Sequence, residues 1–303
     1  MHEGSRRAII AAFLANLGIA AAKFVAFLFT GAASMLAETV HSLADTGNQA
    51  LLLLGASRAG RAANSDHPFG YGRERYFWSF VVALVLFSIG SLFAIYEGVE
   101  KLFHPHDLVA PQWAIGVLLF AIALETWSFR TAFVEANAVR GDQTLWSFIR
   151  RAKSPELPVV LLEDTGALLG LAFALLGVGL AMWTGDARFD ALGSVSIGVL
   201  LACIAIVLAA EMKSLLIGES AAPEVQQRIR DAIVDSGPVM RLIHLRTLHL
   251  GPDDLLVGAK VEFSNRLDLP GLARAIDEVE ASVRSAVAEA RVIYIEPDID
   301  RNA

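Results

Sequence analysis

The chain has 303 residues, 55% of them hydrophobic, with a mean hydropathy of +0.52 and a formal net charge of −7. Such apolarity exceeds that of an ordinary soluble protein and implies several membrane spans with a water-facing part attached. No basic, aromatic-interleaved patch speaks for nucleic acid as a partner. The single cysteine, Cys203, excludes disulfides within the chain and zinc clusters built on paired thiolates.

Arg6 and Arg7 precede an apolar run, Ala8–Thr30, that outlasts the roughly 7–15-residue core of a secretory signal. It reads as the first of six spans, each near the ~20 apolar residues a bilayer requires. The others are Ser34–Ala56, Tyr76–Ile95, Trp113–Phe133, Leu157–Trp183 and Phe189–Ala210. Basic residues gather in alternate connections, which sets orientation. Arg58, Arg61, Arg73 and Arg75 follow the second span; Arg130, Arg140, Arg150, Arg151 and Lys153 surround the connection after the fourth. The opposite connections hold only Lys101 and Arg188. Both termini are therefore expected in the cytoplasm. With no transit segment recognised, a bacterial inner membrane is the expected location.

Beyond Gly218 the pattern changes, and most of the negative charge lies from Glu211 onward, where 16 Asp/Glu face 11 Lys/Arg. Pro223 to Ser236 reads as an amphipathic helix with Val225, Ile229, Ile233 and Val234 on one side. Met240–Leu250 and Leu255–Phe263 read as strands joined by a turn at Gly251-Pro252-Asp253-Asp254. Leu269–Ala288 is helical again, and Arg291–Ile295 is a last strand. The expected fold is an α-helical membrane protein of six transmembrane helices with a C-terminal cytoplasmic α+β domain, ordered α-β-β-α-β. Residues 1–212 form the transport part and 213–303 the domain, one sheet with both helices on one face.

Ionisable groups at bilayer depth cost roughly 2.5–3.5 kcal/mol each on insertion scales, so they are rare and usually functional. The second span carries Glu38, His41 and Asp45, spaced three and four apart and hence on one helix face, with Asn48 a turn further; Glu38 and Asn48 are candidates for a secondary metal or relay role. The fifth carries Glu163-Asp164. Asp164 is eleven residues past Lys153, roughly 16 Å or half of the hydrocarbon core, and Asp45 is eleven past Ser34. At matched depth, His41 and Asp45 supply one nitrogen and one oxygen ligand to a divalent metal, with Asp164 first and Glu163 second from the facing helix. Lys23 in the first span reads as a lysine that snorkels to the outer interface or pairs within the bundle, and Glu125 in the fourth as a buried hydrogen-bonded carboxylate, with a proton-relay role as the alternative.

The run Leu36 to Asp45 resembles the second-helix motif of the cation diffusion facilitator family, and His67-Pro-Phe-Gly-Tyr-Gly-Arg73 resembles its loop motif. The six spans, Lys23, the Leu216-Ile-Gly-Glu-Ser220 exit and the terminal α+β domain agree with it. The resemblance implies a homodimeric antiporter that exports a divalent cation in exchange for protons, with ligands His41, Asp45, Asp164 and a residue one turn before Asp164. That last position is Val160, so Glu163 or another group must supply the fourth ligand. A carboxylate there shifts the site towards harder oxygen ligands, which keeps manganese, iron and cobalt beside zinc as cargo. Asp66 and His67 remain of a loop site whose second His position holds Tyr71. In the domain, Lys260, Tyr294-Ile-Glu-Pro-Asp298, His244, His249 and Glu296 stand where the family's cytoplasmic zinc cluster lies, and the domain is expected to dimerise without that cluster.

No prosthetic group and no enzymatic activity are expected. His-Glu-x-x-His, Gly-x-Ser-x-Gly and a P-loop are all absent from the sequence, which removes the usual zinc-protease, serine-hydrolase and ATP-driven motifs. The competing reading is a non-transporting membrane metal sensor or scaffold acting through its cytoplasmic domain. Four ionisable groups kept in lipid speak for transport, since a scaffold needs none of them.

Overall fold

A computed structural model describes residues 3–30, 33–105 and 111–299, and among their side chains not those of residues 3–5, 26, 27, 29, 30, 33–41, 44, 87, 111 and 113. Long helices dominate: α1 (Glu3–Thr30), α2 (Ala33–Ala59), α3 (Glu74–Val85), α4 (Phe93–Phe103), α5 (Pro111–Arg140), a short α6 (Leu145–Arg151), α7 (Glu156–Thr184) and α8 (Arg188–Ile217). Helices α3 and α4 are one continuous rod of 30 residues, because a π-helical segment, Leu86–Leu92, joins them without a break. At 1.5 Å per residue it is long enough to cross a bilayer. Five rods among the described residues combine the length and apolarity that crossing requires. Helix α2 matches them in length, with 27 residues, and carries the polar stripe read from the sequence. Leu28, Ile206 and Trp183 lie more than half exposed on the outside of the bundle, a placement that suits lipid and not water.

The chain divides into two compact units, residues 1–58 with 75–213 and residues 59–74 with 214–303. In the first unit α1 packs along α5 and α5 along α7. Small residues bring other helices into backbone contact: a Cβ on Gly98 would meet Val195 N at 2.8 Å, and one on Gly198 would meet Ile95 N at the same distance. The Ser91 hydroxyl adds a hydrogen bond to Gly198 O at 2.8 Å. In lipid, where apolar burial between helices drives little, such close approach and interhelical hydrogen bonds hold a bundle together. The apolar core gathers the starts of α1 and α7, the ends of α2, α3 and α5, and the middle of α8; Ile9, Leu52, Val82, Ala132, Val160 and Leu208 are typical members.

The second unit contains α9 (Pro223–Val234), β1 (Val239–Gly251), β2 (Asp254–Phe263), α10 (Leu269–Ala286) and β3 (Ala290–Pro297), the α-β-β-α-β order expected. β1 and β2 are antiparallel around the two-residue turn at Pro252-Asp253, and β3 adds to β2 in parallel, giving the order β1-β2-β3. Alternate β2 residues Leu255, Val257, Ala259 and Val261 bury against Ile229 and Ile233 of α9 and Val279 and Val283 of α10, so both helices cover one face. Each fully buried aliphatic side chain contributes about 1.5–3 kcal/mol. Asp268 starts α10 by accepting the Gly271 N–H at 2.8 Å.

Residues 59–74 pack into this same unit. Gly72 lies so close to the β1–β2 turn that a Cβ on it would sit 2.8 Å from Leu250 O and 2.9 Å from Gly251 Cα. Asn64 builds the loop: its Oδ1 accepts the backbone N–H groups of Asp66 and His67 at 3.1 and 2.8 Å, and its Nδ2 donates to the Tyr71 hydroxyl at 3.0 Å. The His67 ring stacks on Tyr71 with centroids 4.4 Å apart.

Candidate metal centre

Within the helical unit a cavity of about 320 Å³ is lined by Asp45 from α2, Glu125 from α5 and Glu163 and Asp164 from α7. Glu125, Glu163 and Asp164 are buried and Asp45 half-buried. The four groups lie within electrostatic reach of one another around Glu125. Lys23 of α1 lines the same cavity and donates from Nζ to Ser42 Oγ at 3.0 Å, tying α1 to α2. Glu38 and His41 lie on the backbone of α2, and their side chains are outside the described residues. Among the described residues, no three His, Cys, Asp or Glu side chains converge as a metal-holding set. The carboxylates share a chamber without meeting at a point.

Two of the carboxylates are engaged by polar side chains of neighbouring helices. Asp164 Oδ2 accepts from the Ser128 hydroxyl of α5 at 2.7 Å. Glu163 is engaged at both oxygens: Asn48 Nδ2 donates to Oε1 at 3.1 Å and Gln49 Nε2 to Oε2 at 2.6 Å. Asn48, read from the sequence as an auxiliary ligand or relay, thus meets the site through Glu163. Gln49 and Ser128 were not anticipated; the signal that could have found them is amide and hydroxyl groups at the depth of the carboxylates.

The cavity is confined to one half of the bundle. Along α2 its described lining goes no further towards Ala59 than Asp45, and along α7 it begins at Glu163. From there it runs to the far ends of α4 and α8, where Lys101 Nζ lies 2.9 Å from Glu97 and 3.8 Å from Asp190. The other half of the bundle is filled by the apolar core and by a buried ion pair. In that pair Arg75 of α3 engages Glu156 of α7 through Nε to Oε1 and Nη2 to Oε2, the latter at 2.9 Å. Both are almost fully buried, Arg75 at 4% and Glu156 at 1% exposure. Arg75, counted among the basic residues of a connection, is therefore an interior partner of the helix that carries the site.

A family model described as the cation efflux transmembrane domain matches residues 9–217. The chain belongs to this cation efflux family. It is 34% identical over 248 residues to the human proton-coupled zinc antiporter SLC30A9, mitochondrial, an alignment covering 81% of this chain and 44% of that protein. It is 29% identical over 267 residues to metal tolerance protein C4 of Arabidopsis thaliana, covering 88% and 58%. With the cation-efflux pump FieF of Escherichia coli it shares 28% over 280 residues, 92% of this chain and 87% of the pump. The chain thus spans less than half the length of the human relative. As a cation efflux protein it is an integral membrane protein, and the names of the human and Escherichia coli relatives describe transporters.

The remaining expected ligands lie elsewhere. Asp66 and His67 belong to the loop that Asn64 organises in the second unit. In the sheet, His244 to His249 of β1 pair in unbroken register with Lys260 to Leu255 of β2, so the odd spacing puts the two imidazoles on opposite faces. His249 is buried, with Nδ1 3.4 Å from Gly251 O. Lys260 meets Glu296 at 2.9 Å and Asp298 at 3.0 Å, a lysine ammonium between two carboxylates. Hydrogen bonds to Glu296 and then to Asp298 raise the Lys260 pKa above its ordinary value.

Proposed function

We propose that this chain exports a divalent metal cation, zinc first, with manganese, iron and cobalt as the alternatives its oxygen-rich ligand set admits, in exchange for protons. The transported ion is held by His41, Asp45 and Asp164, with Glu163 as the fourth ligand. The observation that carries this reading is the chamber that brings carboxylates of α2, α5 and α7 together at mid-helix depth. Four carboxylates in one low-dielectric space repel each other, and either a divalent cation or protons offset that repulsion. Competition between metal and protons for the same oxygens is the simplest basis for exchange.

In this proposal the cavity is the arm of the pathway open towards the ends of α4 and α8, and the packed half around Arg75–Glu156 is the closed arm. The amino-terminal end of α1 and the domain of residues 213–303 face the cytoplasm, in line with the placement of basic residues. The transport part comprises residues 1–212, and residues 213–303 pair two copies without a zinc cluster. The membrane is proposed to be a bacterial inner membrane.

Calorimetric titration of the purified protein with Zn²⁺ and Mn²⁺ tests the ligand set. Binding is expected to weaken at least tenfold in each of His41→Ala, Asp45→Ala and Asp164→Ala, while His67→Ala leaves it unchanged. Undiminished binding in all three ligand variants would remove the site.

A further inference from the structure

Glu163 accepts from a side-chain amide at each of its two oxygens, from Asn48 at Oε1 and Gln49 at Oε2. Those amides, Asn48 and Gln49, are 1% and 0% exposed and belong to the opposite helix, α2. Neither lines the cavity, whereas Glu163 does. The contact therefore sits at the closed end of the chamber, with Glu163 facing the cavity on one side and held by α2 on the other. Asn48 Oδ1 and Gln49 Oε1, the carbonyl oxygens of the same two amides, are buried and accept no hydrogen bond among the described residues. A buried acceptor left unmatched is costly, so both amides are turned with their donors towards Glu163 at the expense of their acceptors. A carboxylate is the best acceptor for such donors, and neutral hydrogen bonds are about half as strong.

We propose that Asn48 and Gln49 form a latch on Glu163, and that the transported cation opens it. The inference rests on the metal-export reading above. A cation entering between Asp45 and Asp164 needs a further anionic ligand, and Glu163 is adjacent in sequence to Asp164 and already at the cavity wall. Ligation draws its oxygens from the two amides, and the tie between α2 and α7 at that level is lost. Loading the site and freeing the closed half of the bundle thus become one event, in which metal and amides compete for the same carboxylate. Asn48 and Gln49 act through Glu163 as positioning residues and touch no metal themselves. Coupling of this kind requires an element with two arrangements whose balance the ligand shifts, and the α2–α7 contact supplies one.

The test is Zn²⁺ flux into proteoliposomes and Zn²⁺ calorimetry on the detergent-purified chain, for wild type, Asn48→Leu, the near-isosteric Gln49→Met and each combined with Glu163→Gln. Removing an amide leaves Glu163 free for the metal, so KM and the calorimetric Kd should fall roughly tenfold, the scale of one hydrogen bond to a charged group. On the Glu163→Gln background the same substitutions should change neither value, since there is no carboxylate left to hold. Calorimetry keeps the inference testable if a variant binds but does not turn over, and Gln49→Met does so if Asn48→Leu fails to fold. Wild-type protein that neither binds nor moves any metal would remove the export reading and the latch with it. Wild type that transports, beside amide variants whose KM and Kd are unchanged or higher, would overturn the latch alone. So would effects that persist on the Glu163→Gln background.

Discussion

Replacing Arg75 by Leu removes one half of a buried pair and leaves Glu156, 1% exposed, as an uncompensated charge at the start of α7. The pair makes two hydrogen bonds in a fork-to-fork arrangement, which gives it geometric specificity as well as charge neutralisation. Breaking a buried pair by removing one partner costs about 3–5 kcal/mol, while replacing both by apolar groups of similar volume is often neutral or stabilising. Arg75→Leu and Glu156→Leu should therefore each destabilise the protein by roughly 3–5 kcal/mol. The double variant should be markedly more stable than either. Equilibrium unfolding of the four proteins in one detergent gives the coupling energy of the cycle directly. Additive losses, with the double variant the weakest of the four, would refute the claim that this pair is a desolvated, mutually compensated contact.

Other consequences concern packing and the second unit. A Cβ on Gly198 would lie 2.8 Å from Ile95 N and 2.9 Å from Ser91 O, both backbone atoms, so Gly198→Ala should lower stability by about 1–3 kcal/mol. Gly47, inside α2 with open space where its Cβ would be, should gain roughly 0.5–1 kcal/mol as Ala, read as a higher midpoint of thermal unfolding. Gly72→Ala should destabilise the second unit through its contact with Leu250 and Gly251, seen as faster amide exchange in the β1–β2 hairpin. The raised pKa of Lys260 means that its ion pairs with Glu296 and Asp298 add stability below the unfolded lysine value, roughly pH 10.4, and lose it as pH rises through the higher folded value. Lys260→Met should accordingly flatten the stability profile above about pH 10.4, and an unchanged alkaline profile would contradict the pairing.

The fold was legible where patterns are long or chemically blunt. Runs of apolar residues marked the long helices, and the Gly251–Asp254 turn between two alternating segments marked the hairpin. Less legible was anything that depends on which helix meets which. Arg75 looked like one more basic residue near a membrane surface, because nothing local reveals that Glu156, 81 positions on, will neutralise it. The third span was expected to end at Ile95 and runs to Phe103, since the π-helical segment carries the helix past Gly90 without interruption. At the site the carboxylates were evident from their cost in lipid, whereas Gln49 and Ser128 were not: a neutral amide or hydroxyl in a helix carries too small a penalty to stand out. Glu163 shows both sides of this, recognisable as a charged group at depth, with its amide partners decided only by the packing of α2 on α7.

The most direct test of the account is paired metal and proton flux in proteoliposomes holding the purified chain, a metal gradient directed inward and a pH dye inside. Zn²⁺, Mn²⁺, Fe²⁺ and Co²⁺ would be compared, with Asp45→Ala as control. The account predicts metal entry with protons moving the opposite way, Zn²⁺ foremost, and both movements lost in the variant. Metal entry without proton movement would contradict exchange, and flux that persists in Asp45→Ala would contradict the chamber as its path.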